Sequence, residues 1–212
     1  MRNRFGMQLN QLNNELIVMG AMCEDAISCA VKYLTENDEK MKESVANAED
    51  QINRKMREIE SLCMRLLIQQ QPVATDLRVV SSALKMISDM ERIGDQAYDI
   101  SEIAFYVSNS GLSSKTHIVE MAQATTRMVT DCVDSFVKKD LTLAREVVVR
   151  DDDIDSLFVS VKNELIDAIT ANRDDAEALV DLLMIAKYFE RIGDHAVNIA
   201  QWVIYSIIGE YE

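Results

Sequence analysis

The chain has 212 residues, a formal net charge of −14 and few helix breakers, with six glycines and one proline. It is long enough to bury a sizeable core, and its abundance of Leu, Met, Ala, Glu and Lys predicts an all-α protein. The negative charge disfavours nucleic acids and anionic lipid surfaces, which attract basic patches, and favours cations or basic partners.

In the first half, apolar residues recur every three or four positions, which predicts three amphipathic helices. The first helix starts around Phe5 and ends near Thr35. Residues 37–38 then supply an N-cap for the second helix. Pro72 breaks the chain and suits the first turn of the third helix, which ends at residues 109–111.

The same pattern restarts in the second half and predicts three more helices. The fourth starts near Ile118 and reaches Phe136. Asp140 caps the fifth, whose apolar stripe extends to Ile169, and residues 172–175 turn the chain into the sixth.

An identical pentad, Glu-Arg-Ile-Gly-Asp, occupies residues 91–95 and 190–194, 99 positions apart. The third and sixth helices align at this offset, and the second and fifth align at an offset of 102. Short links between long helices imply antiparallel neighbours. We therefore predict two tandem, similar three-helix bundles, residues 1–110 and 111–212, with a boundary near residues 109–113.

Polar and acidic residues spaced four apart form one line on each of two helices in both halves. The lines comprise Glu49, Asn53, Glu91, Asp95 and Asp99 in the first half, and Asp151, Asp155, Glu190, Asp194 and Asn198 in the second. Residues at this spacing share a helix face. Because each line borders the apolar stripe, we expect the two lines of each half to approach each other beside the helix seam.

These acids could be ordinary solvated side chains, which usually have Lys or Arg three or four residues away. Asp95, Glu190 and Asp194 have such a neighbour. Those without one are Glu49, Glu91, Asp151, Asp152 and Asp155. Unpaired like charges about 5 Å apart repel by a few kcal/mol at an effective dielectric near 20. Water, an Arg from another helix, protonation or a bound cation must offset that repulsion.

Gly94 and Gly193 occupy the same position in the two pentads. A glycine inside a helix costs about 1 kcal/mol relative to alanine. These two suit a close approach between helices, for packing alone or at a site.

A cation at these lines would meet oxygen ligands, because no His or Cys lies near the acids of the second and fifth helices and His195 points about 100° away from Asp194. Oxygen ligands suit Mg, Ca, Mn or Fe(III) better than structural zinc. The Glu-x-x-His arrangement of ferritin-like di-iron sites is absent. The sequence also lacks a glycine-rich phosphate loop and a nucleophile elbow, so we do not expect an enzyme.

The four cysteines, Cys23, Cys29, Cys63 and Cys132, lie among apolar residues at helical spacing, which predicts buried free thiols. No signal-peptide pattern follows Arg2 and Arg4. The longest apolar run, residues 202–208, is far shorter than the ~18–20 residues that span a bilayer. We expect a soluble cytoplasmic protein.

Three segments carry a family resemblance: Gln-Pro-Val-Ala-Thr-Asp-Leu-Arg at residues 71–78, the paired pentads, and Glu-Arg-Ile-Gly-Asp-His-Ala-Val-Asn-Ile-Ala at residues 190–200. On these motifs the chain resembles the PhoU family of phosphate-transport regulators over essentially its full length. The resemblance implies two three-helix bundles whose acidic lines bind metal, iron or zinc.

Carried over by position, the resemblance implies two metal sites. The first would use Glu49, Glu91, Asp95 and Asp99, and the second Asp151, Asp155, Glu190 and Asp194. The sequence departs from the family at Asn53, where an acid is expected, so the first site should be weaker or hold fewer ions.

The resemblance also implies negative regulation of the phosphate-starvation response. Such a protein couples the ATPase subunit of the high-affinity phosphate ABC transporter to a sensor histidine kinase and restrains phosphate uptake. It would reach the membrane only through these partners. We also expect a homodimer, which would cover apolar helix flanks. Two alternatives are a helical scaffold without specific metal and a carboxylate-bridged metalloenzyme.

Overall fold

The structure, a computed structural model, describes residues 2–70, 74–108, 116–172 and 174–210, and the chain is all-α. Its helices are α1 (Arg2–Glu36), α2 (Glu39–Gln70), α3 (Ala74–Ser108), α4 (Thr116–Lys138), α5 (Leu141–Val149), α6 (Asp151–Ala171) and α7 (Ala176–Ile208). The sequence pattern predicted these as six long helices. The fifth of them is divided into α5 and α6 at Arg150.

Two helix starts that the sequence predicted are confirmed by their hydrogen bonds. Asp38 Oδ1 accepts from the backbone N–H of Lys40 at 3.0 Å, and Asp140 Oδ1 accepts from that of Leu143 at 3.0 Å. Such contacts satisfy N–H groups that have no partner inside the helix. Pro72, the predicted boundary at residues 109–113 and residue 173 of the predicted last turn lie outside the described residues.

The interruption at Arg150 was not predicted, because the apolar periodicity continues through it. Arg150 keeps a right-handed helical conformation, with φ −67° and ψ −12°. Asp153 N–H donates to the Arg150 carbonyl at 3.1 Å, a three-residue step that tightens the helix locally. The Arg150 guanidinium forms an ion pair with Asp131 of α4. This tertiary contact holds the junction against the neighbouring helix.

The two halves each form a bundle, and one core runs through both. α1, α2 and α3 pack together in the first half, and α4, α5 and α6 pack with α7 in the second. Between the halves α3 lies along α7, and α1 contacts α4. Buried residues from all seven helices belong to a single cluster. The central α3–α7 pair therefore places the two copies of the pentad on neighbouring helices.

The core contains the residues that helical periodicity selected. In α1 the fully buried stripe includes Leu12, Leu16, Met19 and Cys23. All four cysteines are free thiols, and Cys29 is the one that is only half-buried. Across the described ranges, no helix is both long and apolar enough to cross a bilayer.

Candidate metal centre

The pentad glycines lie where α3 meets α2 and where α7 meets α6. A Cβ on Gly94 would lie 2.9 Å from Ile52 Cδ1 of α2, which is closer than such atoms pack. A Cβ on Gly193 would lie 3.4 Å from Asp151 Oδ1 and 3.5 Å from Ile154 Cγ2 of α6. Gly94 thus serves helix packing, whereas Gly193 also borders a carboxylate of the second acidic line.

In the first half, Asn53 and Glu49 contact each other directly on α2. Asn53 Nδ2 donates to Glu49 Oε1 at 2.5 Å, and both side chains are half-buried. Burial and the nearby Asp95 carboxylate raise the pKa of Glu49, and the Asn53 hydrogen bond opposes this rise. The amide at position 53 therefore avoids the repulsion that a further acid would add.

On α3, Arg92 is the counter-charge for two of the predicted ligands. Its Nη1 lies 3.0 Å from Asp95 Oδ2, and its Nε lies 3.6 Å from Glu91 Oε2. Glu91 has no Lys or Arg three or four residues away in the sequence, but Arg92, the next residue, pairs with it. Burial and Asp95 still raise the pKa of Glu91, with Glu49 of α2 adding to the effect. The two predicted lines of the first half therefore do interact.

Asp99, at the end of the α3 line, faces the other half of the molecule. Its carboxylate lies close enough to the Tyr188 hydroxyl of α7 for each group to shift the pKa of the other. Burial and Asp95 raise the pKa of Asp99, while Tyr188 and Arg191 oppose the rise. Asp99 therefore interacts with both the acidic line and the contact between the halves.

The second half holds the most strongly perturbed carboxylate. Burial raises the pKa of Asp151 to about 6, and Asp194, Asp155 and Glu190 add repulsion. Burial and Glu190 also raise the pKa of Asp194. Asp155, Glu190 and Asp194, which the sequence assigned to the second site, therefore lie near enough to Asp151 to raise its pKa.

Two basic residues of α7 behave differently from each other. Lys187 forms the expected ion pair with Glu190. Arg191, three residues before Asp194, instead lies over the Tyr188 ring, 5.7 Å from its centre. The spacing therefore identified a partner for Glu190 correctly, but Arg191 is directed toward the contact with the other half.

Sequence reasoning missed Asp89 of α3, which joins the two halves. Its Oδ1 lies 3.0 Å from His195 Nδ1 and accepts from Asn198 Nδ2 at 3.3 Å. Both partners belong to α7. The candidate ligand Asn198 is thus hydrogen-bonded to the other half of the molecule instead of to an acid of its own line.

The repeat itself carried the signal for this contact. At the offset of 99 residues, Asp89 aligns with Tyr188, and Asp99 aligns with Asn198. Two of the contacts between the halves, Asp89 with Asn198 and Asp99 with Tyr188, therefore join the same two repeat positions with the halves exchanged. Such reciprocal pairing is the property of a twofold interface.

The donor chemistry of both acidic clusters fits a hard cation, because every candidate ligand atom is a carboxylate or amide oxygen. A cation would also relieve the repulsion that raises the pKa of Asp151. Within the described ranges, however, no three His, Cys, Asp or Glu side chains converge closely enough to hold an ion as they stand. Binding would therefore require some of these side chains to turn toward a common point.

Comparison with known proteins identifies the family. The PhoU domain matches residues 16–104 and 118–203, one match in each half. The chain belongs to the PhoU family. It is 35% identical over 99% of its length to a protein of Clostridium acetobutylicum named phosphate-specific transport system accessory protein PhoU homolog, and the match covers 96% of that protein.

Solved PhoU structures share the fold over nearly the whole chain. The crystal structure of PhoU from Pseudomonas aeruginosa superposes with a TM-score of 0.91 at 30% identity, covering 97% of this chain and 100% of that one. The PhoU regulatory protein from Streptococcus pneumoniae superposes with a TM-score of 0.90 at 25% identity, covering 98% and 99%. The family resemblance and the tandem helical fold expected from the sequence are thereby confirmed.

Proposed function

We propose that this chain is an accessory protein of a phosphate-specific transport system and regulates phosphate transport. The observation that carries the proposal is the relationship to the Clostridium acetobutylicum PhoU homolog, which covers 99% of this chain and 96% of that protein. A match of this extent includes both repeats. The role of an accessory protein is regulatory, in keeping with the absence of catalytic motifs from the sequence.

In the finer form of the proposal, the chain links two partners when phosphate is plentiful. One partner is the ATPase subunit of the phosphate ABC transporter, and the other is a sensor histidine kinase. Contact with both would restrain phosphate uptake and repress the starvation response. This form extends the family resemblance to the partners that such regulators contact.

The acidic clusters would hold cations in support of this role. A bound cation supplies positive charge that offsets carboxylate repulsion and ties α2 to α3, or α6 to α7. The second cluster is the better candidate, because burial and the charges of Asp155, Glu190 and Asp194 raise the pKa of Asp151 to about 6. The first cluster has Asn53 hydrogen-bonded to Glu49, so it should bind more weakly.

The test is deletion of the gene in its own host, followed by measurement of phosphate uptake and of a starvation reporter in high phosphate. We expect uptake and reporter to be derepressed and to return to normal when the wild-type chain is restored. Co-purification of the chain with the transporter ATPase or with the kinase tests the finer form. Unchanged uptake and reporter activity in the deletion strain would overturn the regulatory role.

A further inference from the structure

The outer face of α2 carries three arginines in one line, Arg54, Arg57 and Arg65, which we call the arginine stripe. All three are exposed, and with Glu58 and Ser61 they line an open groove. The stripe extends for about 17 Å along the helix axis at 1.5 Å per residue. It is a concentrated positive feature in a chain whose net charge is −14.

Most of the positive charge of the arginine stripe has no ion-pair partner among the described residues. Arg57 and Arg65 form no ion pair with any residue that the structure describes, and Arg54 lies 4.0 Å from the exposed Asp50. The acid inside the groove, Glu58, is already bound by Lys55 Nζ at 2.8 Å. Arg54 Nε donates to the Asp50 backbone carbonyl at 3.2 Å. The guanidinium groups of Arg57 and Arg65 and the outer nitrogens of Arg54 are therefore available to an external anion.

The second half shows that the fold does not need the stripe. At the offset of 102 residues between α2 and α6, the arginine positions correspond to Ser156, Val159 and Asp167. The equivalent helix therefore packs in the same architecture without a single cation at these positions. The stripe belongs to the first half alone, which separates it from the shared scaffold.

The spacing of the arginines indicates the shape of the anion. Steps of three and then eight residues keep Arg54, Arg57 and Arg65 on one helix face. A helix of a partner protein can carry acids at the same helical period. If such a helix packs along α2, its acids can reach all three arginines. Arginine binds carboxylates with paired hydrogen bonds. The exposed Met64 and Ile68 at the end of the stripe, 47% and 73% accessible, suit an apolar residue of that helix.

We propose that the arginine stripe of α2 docks an acidic amphipathic helix of a partner protein. The proposal rests on the regulatory function above and names the surface through which one partner is held. An anionic membrane is a poorer match, because its continuous negative surface would meet Asp50, Glu58 and Glu60 along with the arginines, whereas a helix can place its acids opposite the arginines alone. The overall charge of −14 likewise opposes nucleic acid.

The probe is a labelled helical peptide of about 15 residues that carries glutamate at the spacing of the stripe and leucine at one end. Its binding to the full chain is followed by fluorescence anisotropy. We expect saturable binding that weakens between about 50 mM and about 300 mM salt. The variant Arg54→Gln/Arg57→Gln/Arg65→Gln should weaken binding at least about tenfold. Circular dichroism of the variant establishes that its helices remain folded.

The matched control neutralises three cations elsewhere, in the variant Lys40→Gln/Arg127→Gln/Lys162→Gln, and should bind the peptide like the wild type. Equal weakening in both variants would mean that net charge alone attracts the peptide, and would overturn the docking surface. A glutamine version of the peptide that binds equally well would overturn it too. So would self-association that the stripe variant abolishes, since the occupant would then be a second copy.

Measurements in cells separate this proposal from the regulatory function. If the stripe variant restores normal phosphate regulation to the deletion strain although peptide binding is lost, the docking surface is wrong and the function stands. If deletion of the gene leaves phosphate uptake unchanged, the function is wrong whatever the peptide does. We expect the stripe variant to fail to restore regulation and the control variant to restore it.

Discussion

Ile52 Cδ1 of α2 lies 2.9 Å from the position that a Cβ on Gly94 of α3 would occupy. Gly94→Ala should therefore destabilise the fold, because overpacking costs about 1–3 kcal/mol and exceeds the gain of about 1 kcal/mol in helix propensity. Gly193→Ala meets ordinary contacts at 3.4 Å and beyond, so it should be neutral or stabilising. Urea denaturation of both variants in chelator measures the difference.

The variant Ile52→Val provides a control, because it removes the Cδ1 atom that the new methyl group would meet. In that background Gly94→Ala should cost less than it does in the wild type. Equal effects of the two glycine substitutions, or no rescue by valine, would contradict the packing role of Gly94.

Asp89 stabilises the contact between the halves through His195 and Asn198. The Asp89 side chain is only 16% exposed. Asp89→Ala should lower the free energy of unfolding by about 1–2 kcal/mol, because it leaves two partners without their acceptor. The control Asp50→Ala, at a carboxylate 71% exposed, should change it by less than about 0.5 kcal/mol. Similar losses in the two variants would show that Asp89 has no special role.

The pKa of Asp151 predicts how stability responds to pH in metal-free protein. Folding raises this pKa from its ordinary value of 3.8 to about 6, so ionisation opposes folding above pH 6 and has no such effect well below pH 3.8. Asp151→Asn should therefore melt at a higher temperature than the wild type at pH 7.5, and the advantage should shrink as the pH falls from 6 to 4.

Asp153 is the matched control for this measurement, because it lies in the same first turn of α6 but is exposed. Asp153→Asn loses the same favourable interaction with the helix N-terminus without relieving the acidic cluster. Its melting temperature should not rise. A pH-independent difference between the Asp151 variant and the wild type would contradict the assigned repulsion.

Thiol reactivity should distinguish Cys29 from the other cysteines. Burial raises the pKa of Cys23 and of Cys63 to about 12, and it also raises that of Cys132. Their thiols should stay protonated and unreactive toward a disulfide reagent at pH 8. Burial also raises the pKa of Cys29, but this half-buried thiol is accessible to the reagent and should react in the native protein. Cys29→Ser should abolish this native reaction. Rapid labelling of all four thiols without denaturant would contradict the core packing.

Helix positions were predictable because the apolar period of each helix is local information. The caps at Asp38 and Asp140 followed from residue type, and both are confirmed. The division at Arg150 was not predictable, since it accompanies an ion pair with Asp131 on a different helix. Spacing alone cannot show such a contact.

Within the candidate site, the sequence predicted that acids on consecutive helices lie near one another, and cation binding by them stays a prediction. Asp151 and Asp194 interact as the helix register required. The direction of individual side chains was not predictable, because it depends on the packing of α3 against α7. Asn198 binds Asp89 in place of facing an acidic line, and Asp99 contacts Tyr188.

The most direct test of the cation proposal is an anomalous-scattering map from a crystal of metal-loaded protein. We expect a peak between α6 and α7, bounded by Asp151, Asp155, Glu190 and Asp194, and a weaker peak between α2 and α3. Asp151→Asn/Asp155→Asn should remove the first peak while leaving the fold and the second peak in place. A map without a peak at either cluster, from crystals grown with Mn or Fe, would contradict cation binding by these acids.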